Sequence, residues 1–269
     1  MIWVNGVITD NLPMTDRGLL YGDGVWETIG IRRGTPQWLE WHIERLQWGL
    51  QTLGIASPHD ALLRQEIATA CAGQGRAVLK WIVTRGSGQR GYNPHTAAEP
   101  TRILQVSPWS EYPADYAFTG IRLALCETRL AHQPRLAGFK HLNRLEQVLA
   151  RSEFGSDYQE GLVRDYHGNV IEGTMSNVFI VNADGTVSTP ELSQCGIAGI
   201  MRRYIAQTLE KMGVECHIHT LTLQNVEQAH AIFMTNSLIG LWPVREFSGK
   251  SYNIPPLLRE LQAALHTLS

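Results

Sequence analysis

The chain has 269 residues, 43% of them hydrophobic and 18% charged, with a formal net charge of -2. That length and balance give one or two globular domains whose core needs no disulfide or metal staple, and they exclude a nucleic-acid or membrane partner that relies on a basic surface. Of the 23 Lys and Arg residues only four are lysines (Lys80, Lys140, Lys211 and Lys250), so amine chemistry has four candidates.

Ile2 to Val4 and Val7 to Thr9 flank Asn5-Gly6, a pair suited to a two-residue hairpin turn. Gly22-Asp23-Gly24 lacks the ending of a nucleotide P-loop and reads as a turn before a strand at 25–32, which Arg33-Gly34-Thr35 turns back. Apolar residues at 39, 43, 46, 50 and 53 predict a helix over 39–53, with Gly54 as its stop, and a second helix covers 58–71. Strands follow at 77–84 and 102–106. Between them, residues 86–91 match GxGxxG, but Pro94 pushes Asn93 out of helical geometry, so no dinucleotide site is expected there. The segment reads as a loop, either simply solvated or offering Arg85 and Arg90 as forks to substrate carboxylates. Residues 107–120, with two prolines and a glycine, are the expected linker between a smaller domain, 1–106, and a larger one, 121–269.

Beyond the linker come a strand at 121–126, a loop with Pro134 and Gly138, and a helix at 142–153. Strands are predicted at 161–165, 170–173, 177–182 and 186–189, then a helix at 200–212. Further strands lie near 215–219, 231–235 and 239–244, and a last helix covers 255–267. Strands and helices are mixed rather than strictly alternating, which predicts an α+β fold.

Cys71, Cys126, Cys195 and Cys216 form no CxxC pair, so free thiols in a reducing cytoplasm are expected, with no metal site. No signal peptide and no apolar run of membrane-spanning length is expected. Among the lysines, Lys211 and Lys250 read as solvated, and Lys80 lies within a strand on its more open face. Lys140 sits in apolar company at a loop-to-helix junction and is a candidate nucleophile or base. Gly196 to Gly199 lead into the 200–212 helix, whose free N–H groups could cradle a phosphate. Arg45 lies beside the apolar face of its helix, which fits an exposed arginine with a packed stem. Glu172 ends an apolar strand beside Gly173, as an ordinary edge residue or as one facing a cofactor.

Five segments occur in order: His42-Ile43-Glu44-Arg45-Leu46; Lys140; Val170-Ile171-Glu172-Gly173 running to Ser176-Asn177-Val178-Phe179; Gly199-Ile200-Met201-Arg202; and Met234-Thr235-Asn236-Ser237. With them the chain resembles, over essentially its full length, the fold-type IV pyridoxal phosphate enzymes. These include branched-chain and D-amino acid aminotransferases and a lyase branch. Residues 85–92 and 136–147 look like the lyase branch. Leu145 stands where branched-chain aminotransferases typically place a tyrosine, whereas the Gly22 to Glu27 run is shared with the D-amino acid aminotransferases.

The resemblance implies a two-domain fold-type IV enzyme that is a homodimer, with its active site between the domains and near the partner. It implies pyridoxal 5'-phosphate as cofactor and a small-molecule substrate. Lys140 would carry the cofactor and act as the proton-transfer base, and Glu172 would pair with the pyridine nitrogen. Arg45, the backbone N–H groups of Ile200 and Met201, and Asn236-Ser237 would hold the phosphate. The implied reaction expels pyruvate from a cyclic amine bearing two carboxylates and leaves 4-aminobenzoate, with a D-amino acid or related aminotransferase as the alternative. Tyr21, Thr28, Arg90 and Tyr92 are the expected substrate contacts.

Overall fold

The computed structural model describes residues 1–96 and 99–266. The chain divides into two compact units, one made of Met1–Ser110 with Phe139–Asn143, the other of Glu111–Gly138 and the chain from Arg144 onward.

In the first unit β1 (Ile2–Val4) and β2 (Val7–Ile8) form the expected hairpin, with Asn5 and Gly6 at φ 49° and 81°. A short helix α1 (Arg17–Tyr21) opens on the Asp16 carboxylate, which accepts from the Gly18 N–H. Then come β3 (Gly24–Arg32), β4 (Thr35–Pro36), α2 (Leu39–Leu53), α3 (Asp60–Cys71), β5 (Arg76–Thr84) and β6 (Thr101–Pro108). The sheet has the order β2-β1-β6-β5-β3-β4 and is antiparallel throughout. Period-2 alternation buries Val25, Ile29 and Ile31 with Leu79, Trp81 and Val83 on one face, and α2 adds Ile43, Leu46 and Leu50 to the core. Each such side chain contributes roughly 1.5–3 kcal/mol. The opposite face carries the half-buried Trp26, Thr28, Lys80 and Ile82.

Residues 139–143 extend this sheet. The Trp26 N–H donates to the Lys140 carbonyl at 2.9 Å, and the Leu142 N–H to the Gly24 carbonyl at 3.0 Å. Residue 142, the expected start of a helix, is therefore tied to β3 by its backbone N–H, and the helix begins only at Leu145.

The second unit contains α4 (Asp115–Phe118), which falls within the 107–120 stretch, then β7 (Ile121–Leu130), α5 (Leu145–Ser152), β8 (Glu160–Asp165), β9 (Val170–Gly173), β10 (Asn177–Val181) and β11 (Val187–Pro190). It continues with α6 (Ile200–Lys211), β12 (Cys216–His219), α7 (Leu223–Gln228), β13 (Ala231–Asn236), β14 (Gly240–Phe247), β15 (Lys250–Ser251) and α8 (Pro256–His266). Residue 267, the expected end of the last helix, lies outside the described residues. The sheet order is β12-β11-β10-β13-β14-β7-β8-β9, with β15 on β14. The β11–β12, β14–β7 and β7–β8 pairs are parallel and the others antiparallel. Ile121, Leu123, Leu162, Val178, Ile180, Ile232, Met234 and Val244 form one core. From the other face of β10 and β13, Phe179 and Phe233 stack as a cross-strand pair with centroids 4.9 Å apart.

The mixed order makes this an α+β protein, as the pattern of elements predicted. No helix among the described residues is long and apolar enough to cross a membrane. Burial pushes the Cys71 thiol up to about 11 and those of Cys126 and Cys195 up to about 12, so all three stay protonated.

Candidate active site

In the first unit Lys140 is placed by backbone hydrogen bonds to β3, and Trp26 adds two further restraints. The indole N–H donates to the His141 carbonyl at 3.1 Å, and the Lys140 ammonium lies 3.9 Å from the ring centroid. Lys80, expected within a strand on its more open face, places its own ammonium 4.9 Å from the same centroid. Its cross-strand partner is Thr28. One sheet face therefore carries Trp26, Thr28 and two lysine amines.

On α2, His42 and Arg45 stand one turn apart and both reach Glu27 of β3. His42 Nδ1 lies 2.6 Å from Glu27 Oε2. Arg45 donates from Nε to Oε1 at 2.8 Å and from Nη2 to Oε2 at 2.5 Å, a bidentate pair. Burial works to raise the Glu27 carboxyl, but the charges and hydrogen bonds of Arg45 and His42 outweigh it and hold the group down at about 2. Burial lowers the proton affinity of His42, the Glu27 carboxylate opposes this, and the charges of Arg45 and Lys140 act with burial. The network assigns a neutral imidazole with Nδ1–H toward the carboxylate, and Nε2 is buried without a partner. Arg45 is thus a paired residue and not the solvent-facing one its wheel position suggested.

The 86–91 loop is built onto α1. Arg17 donates to the carbonyls of Gly91 and Tyr92 at 2.7 and 3.3 Å, and the Gly91 N–H donates to the Tyr21 hydroxyl at 3.0 Å. Tyr21 and Tyr92 meet edge to face at 5.4 Å. Gly86, at φ 87°, passes so close to Glu99 that a Cβ there would lie 1.8 Å from its carbonyl oxygen. Arg85 is bound to Asp23 and to the Leu53 and Gly54 carbonyls at the end of α2, which disfavours the reading that offers it as a fork to a ligand. Arg90 is exposed, and Tyr92 is 86% exposed.

In the second unit Glu172, on β9, is buried. Its Oε2 accepts from the Ile197 N–H at 2.8 Å, and its Oε1 lies 3.5 Å from the Gln147 amide nitrogen. The turn that follows is knotted around Glu160, a fully buried carboxylate. Glu160 accepts from Thr174 Oγ1 at 2.5 Å, Ser176 Oγ at 2.6 Å and the Thr174 N–H at 3.0 Å. Asn177 donates to the Ile197 carbonyl at 2.8 Å. Gly199 packs so tightly that a Cβ there would lie 2.0 Å from Asn177 Oδ1. It is the N-cap of α6 and makes no side-chain cap, so the first N–H groups of the helix, those of Ile200 and Met201, have no cap from a side chain. The Asn236 amide donates to the distant Met175 carbonyl and accepts from the N–H groups of Leu238 and Ile239 in its own turn, which carries Ser237.

The first unit therefore holds Lys140, Arg45, Thr28, Tyr21, Arg90 and Tyr92, and the second holds Glu172, Ile200, Met201, Asn236 and Ser237. Sequence reasoning missed Glu27, His42, Trp26, Glu160 and Gln147. The His-x-x-Arg spacing on α2 is the one local signal that could have pointed to the first two.

The amino-transferase class IV family matches residues 24–247. An aminodeoxychorismate lyase from Vibrio harveyi is 37% identical, covering 99% of this chain and 100% of its own. The crystal structure of 4-amino-4-deoxychorismate lyase from Pseudomonas aeruginosa superposes with a TM-score of 0.95 at 46% identity, covering 99% of this chain and 98% of that one. A protein described as a putative branched-chain-amino-acid aminotransferase from Methanocaldococcus jannaschii is 31% identical, over 94% of this chain and 89% of its own.

Proposed function

The chain belongs to the class IV amino-transferase family, and from that premise we propose that it is a pyridoxal phosphate-dependent lyase converting 4-amino-4-deoxychorismate to 4-aminobenzoate and pyruvate. The observation that carries this reading is its likeness, along the whole chain, to two proteins bearing that lyase name, at 37% and 46% identity. Leu145, with no phenol to offer, agrees with it.

The residues suit such a cofactor. An uncapped helix start next to a glycine that admits no Cβ is a phosphate cradle, and a buried carboxylate held by a backbone N–H can face a pyridinium. When bound, pyridoxal phosphate supplies an electron sink. Lys140 would hold it through Nζ, and the same Nζ would take the proton from the amine-bearing ring carbon of the substrate. Glu172 keeps a proton on the pyridine nitrogen. Arg45, the N–H groups of Ile200 and Met201, and the Asn236-Ser237 turn bind the phosphate. Arg90 and Lys80 are cations for the two substrate carboxylates, and Thr28, Tyr21 and Tyr92 complete the substrate side. Expulsion of the enolpyruvyl group as pyruvate aromatises the ring, so no second substrate is required.

The working protein is a homodimer of the cytoplasm in this reading. Leu145, Val148 and Leu149 of α5, exposed by 76%, 60% and 58%, make an apolar helix face suited to a second copy. Unpaired cysteines suit a reducing compartment.

Transamination is the second reading, favoured by the 31% identity to the archaeal protein and by the Gly22 to Glu27 run. Incubation with 4-amino-4-deoxychorismate separates the two. Equal amounts of 4-aminobenzoate and pyruvate, with no amino acceptor added, support the lyase. No 4-aminobenzoate, together with amino transfer from D-alanine to 2-oxoglutarate, supports the aminotransferase.

A further inference from the structure

We infer that Glu27 and His42 are positioning residues that set the guanidinium of Arg45 for the phosphate of the cofactor, an inference that rests on Arg45 being a phosphate ligand. An arginine is the most rotamer-rich of side chains, and a phosphate ligand must present its N–H groups in one plane to bind well. Here the plane is set in advance. Nε and Nη2 of Arg45 are both taken by Glu27, at 2.8 and 2.5 Å, which leaves Nη1 outside that pair. The Glu27 carboxylate cannot turn, because Oε2 also meets His42 Nδ1 at 2.6 Å and the residue lies within the β3–β5 ladder opposite Trp81.

The charges support the same assignment. Glu27 stays ionised and balances Arg45, while His42 stays neutral and adds only a fixed donor. A second positive charge would be equally useful for a phosphate but could not hold Arg45 still. His42 and Arg45 come from one face of α2 and Glu27 from the central part of β3, so the cluster is built on rigid elements and not on a loop. Glu27 and His42 need touch neither cofactor nor substrate. They act through Arg45.

The alternative is a buried ion pair that serves the fold alone, and a comparison of two ligands separates the possibilities. Pyridoxal offers Lys140 the same aldehyde but has no phosphate. The ratio of pyridoxal phosphate to pyridoxal affinity, titrated by absorbance with the apo-enzyme, therefore reads the phosphate site alone, and pyridoxal binding shows that the variant is folded. Arg45→Ala is expected to lower this ratio. Glu27→Gln should lower it by on the order of 10- to 100-fold, the size of effect that removing an outer partner has at metal ligands, and leave pyridoxal affinity unchanged. His42→Ala should lower it less, and His42→Asn, whose amide N–H reaches the same oxygen, should restore most of the loss. Adding Glu27→Gln to Arg45→Ala should lower the ratio no further. If Glu27→Gln does not fold, the contrast between His42→Ala and His42→Asn decides alone.

A ratio lowered by Arg45→Ala but untouched by Glu27→Gln and His42→Ala overturns this inference and leaves the phosphate reading standing. A ratio untouched by Arg45→Ala overturns the phosphate reading and the inference with it.

Discussion

The two units hold their candidate site residues by different means. In the first, side chains do it: Glu27 and His42 fix Arg45, and Trp26 holds the Lys140 segment by a hydrogen bond and a cation–π contact. In the second, backbone does it: the Ile197 N–H meets Glu172, and the first turn of α6 opens from a glycine that Asn177 admits only because it has no Cβ. Side-chain devices respond to charge and pH, whereas backbone devices respond to volume. Variants of the two units should therefore fail in different ways.

The largest effect is expected at Lys140. Lys140→Ala should abolish turnover, a loss of at least on the order of 10²–10⁴-fold from the missing base alone, in a steady-state pyruvate assay. Retained activity would remove its assigned role.

Next is acid sensitivity in the first unit. Glu27 is held at about 2 against its ordinary 4.5, so its contribution is fully present above 4.5 and is lost as pH falls toward 2. That contribution is on the order of 3 kcal/mol. The neutral, depressed His42 adds a loss of the same sign below its ordinary 6.5. Urea unfolding at pH 7, 4.5 and 3 should show a shallower fall for Glu27→Gln than for the unaltered protein. Equal slopes would contradict a charge-based device.

Gly199→Ala tests the backbone device by volume. Its Cβ would lie 2.0 Å from Asn177 Oδ1. A cost of roughly 1–3 kcal/mol is expected, independent of pH, with weakened cofactor binding. A loss that follows pH instead would blur the distinction between the units. The smallest effect concerns thiols. With Cys71, Cys126 and Cys195 buried and protonated, a thiol reagent on the native protein should modify at most the half-buried Cys216.

What could be read from the sequence was what local pattern controls. The α2 helix with Gly54 as its stop, the Asn5-Gly6 hairpin and the start of α6 all have their signals within a few residues. Long-range pairing was not legible. Leu142 pairs with Gly24, far away in the chain, and so leaves the helix its own pattern suggested. β7 continues past 126 through a register shift that no local pattern marks. The α7 helix had a readable signal in its Thr222–Asn225 capping box, which the expected elements did not include. The candidate site divides in the same way. Lys140, Arg45 and Glu172 stood out because ordered motifs accompany them. Lys80 was placed on the open face of its strand, but its contact with Trp26 was not legible because that ring lies on the neighbouring strand. Glu27 and His42 were unremarkable until β3 and α2 brought them together.

The central claim is that Lys140 is the amine that carries the cofactor, and one measurement tests it most directly. The protein, loaded with pyridoxal phosphate, is reduced with borohydride, digested and analysed by mass spectrometry. The added phosphopyridoxyl mass is expected on the peptide containing Lys140. Its appearance instead on Lys80, Lys211 or Lys250, or on no peptide, would contradict the account.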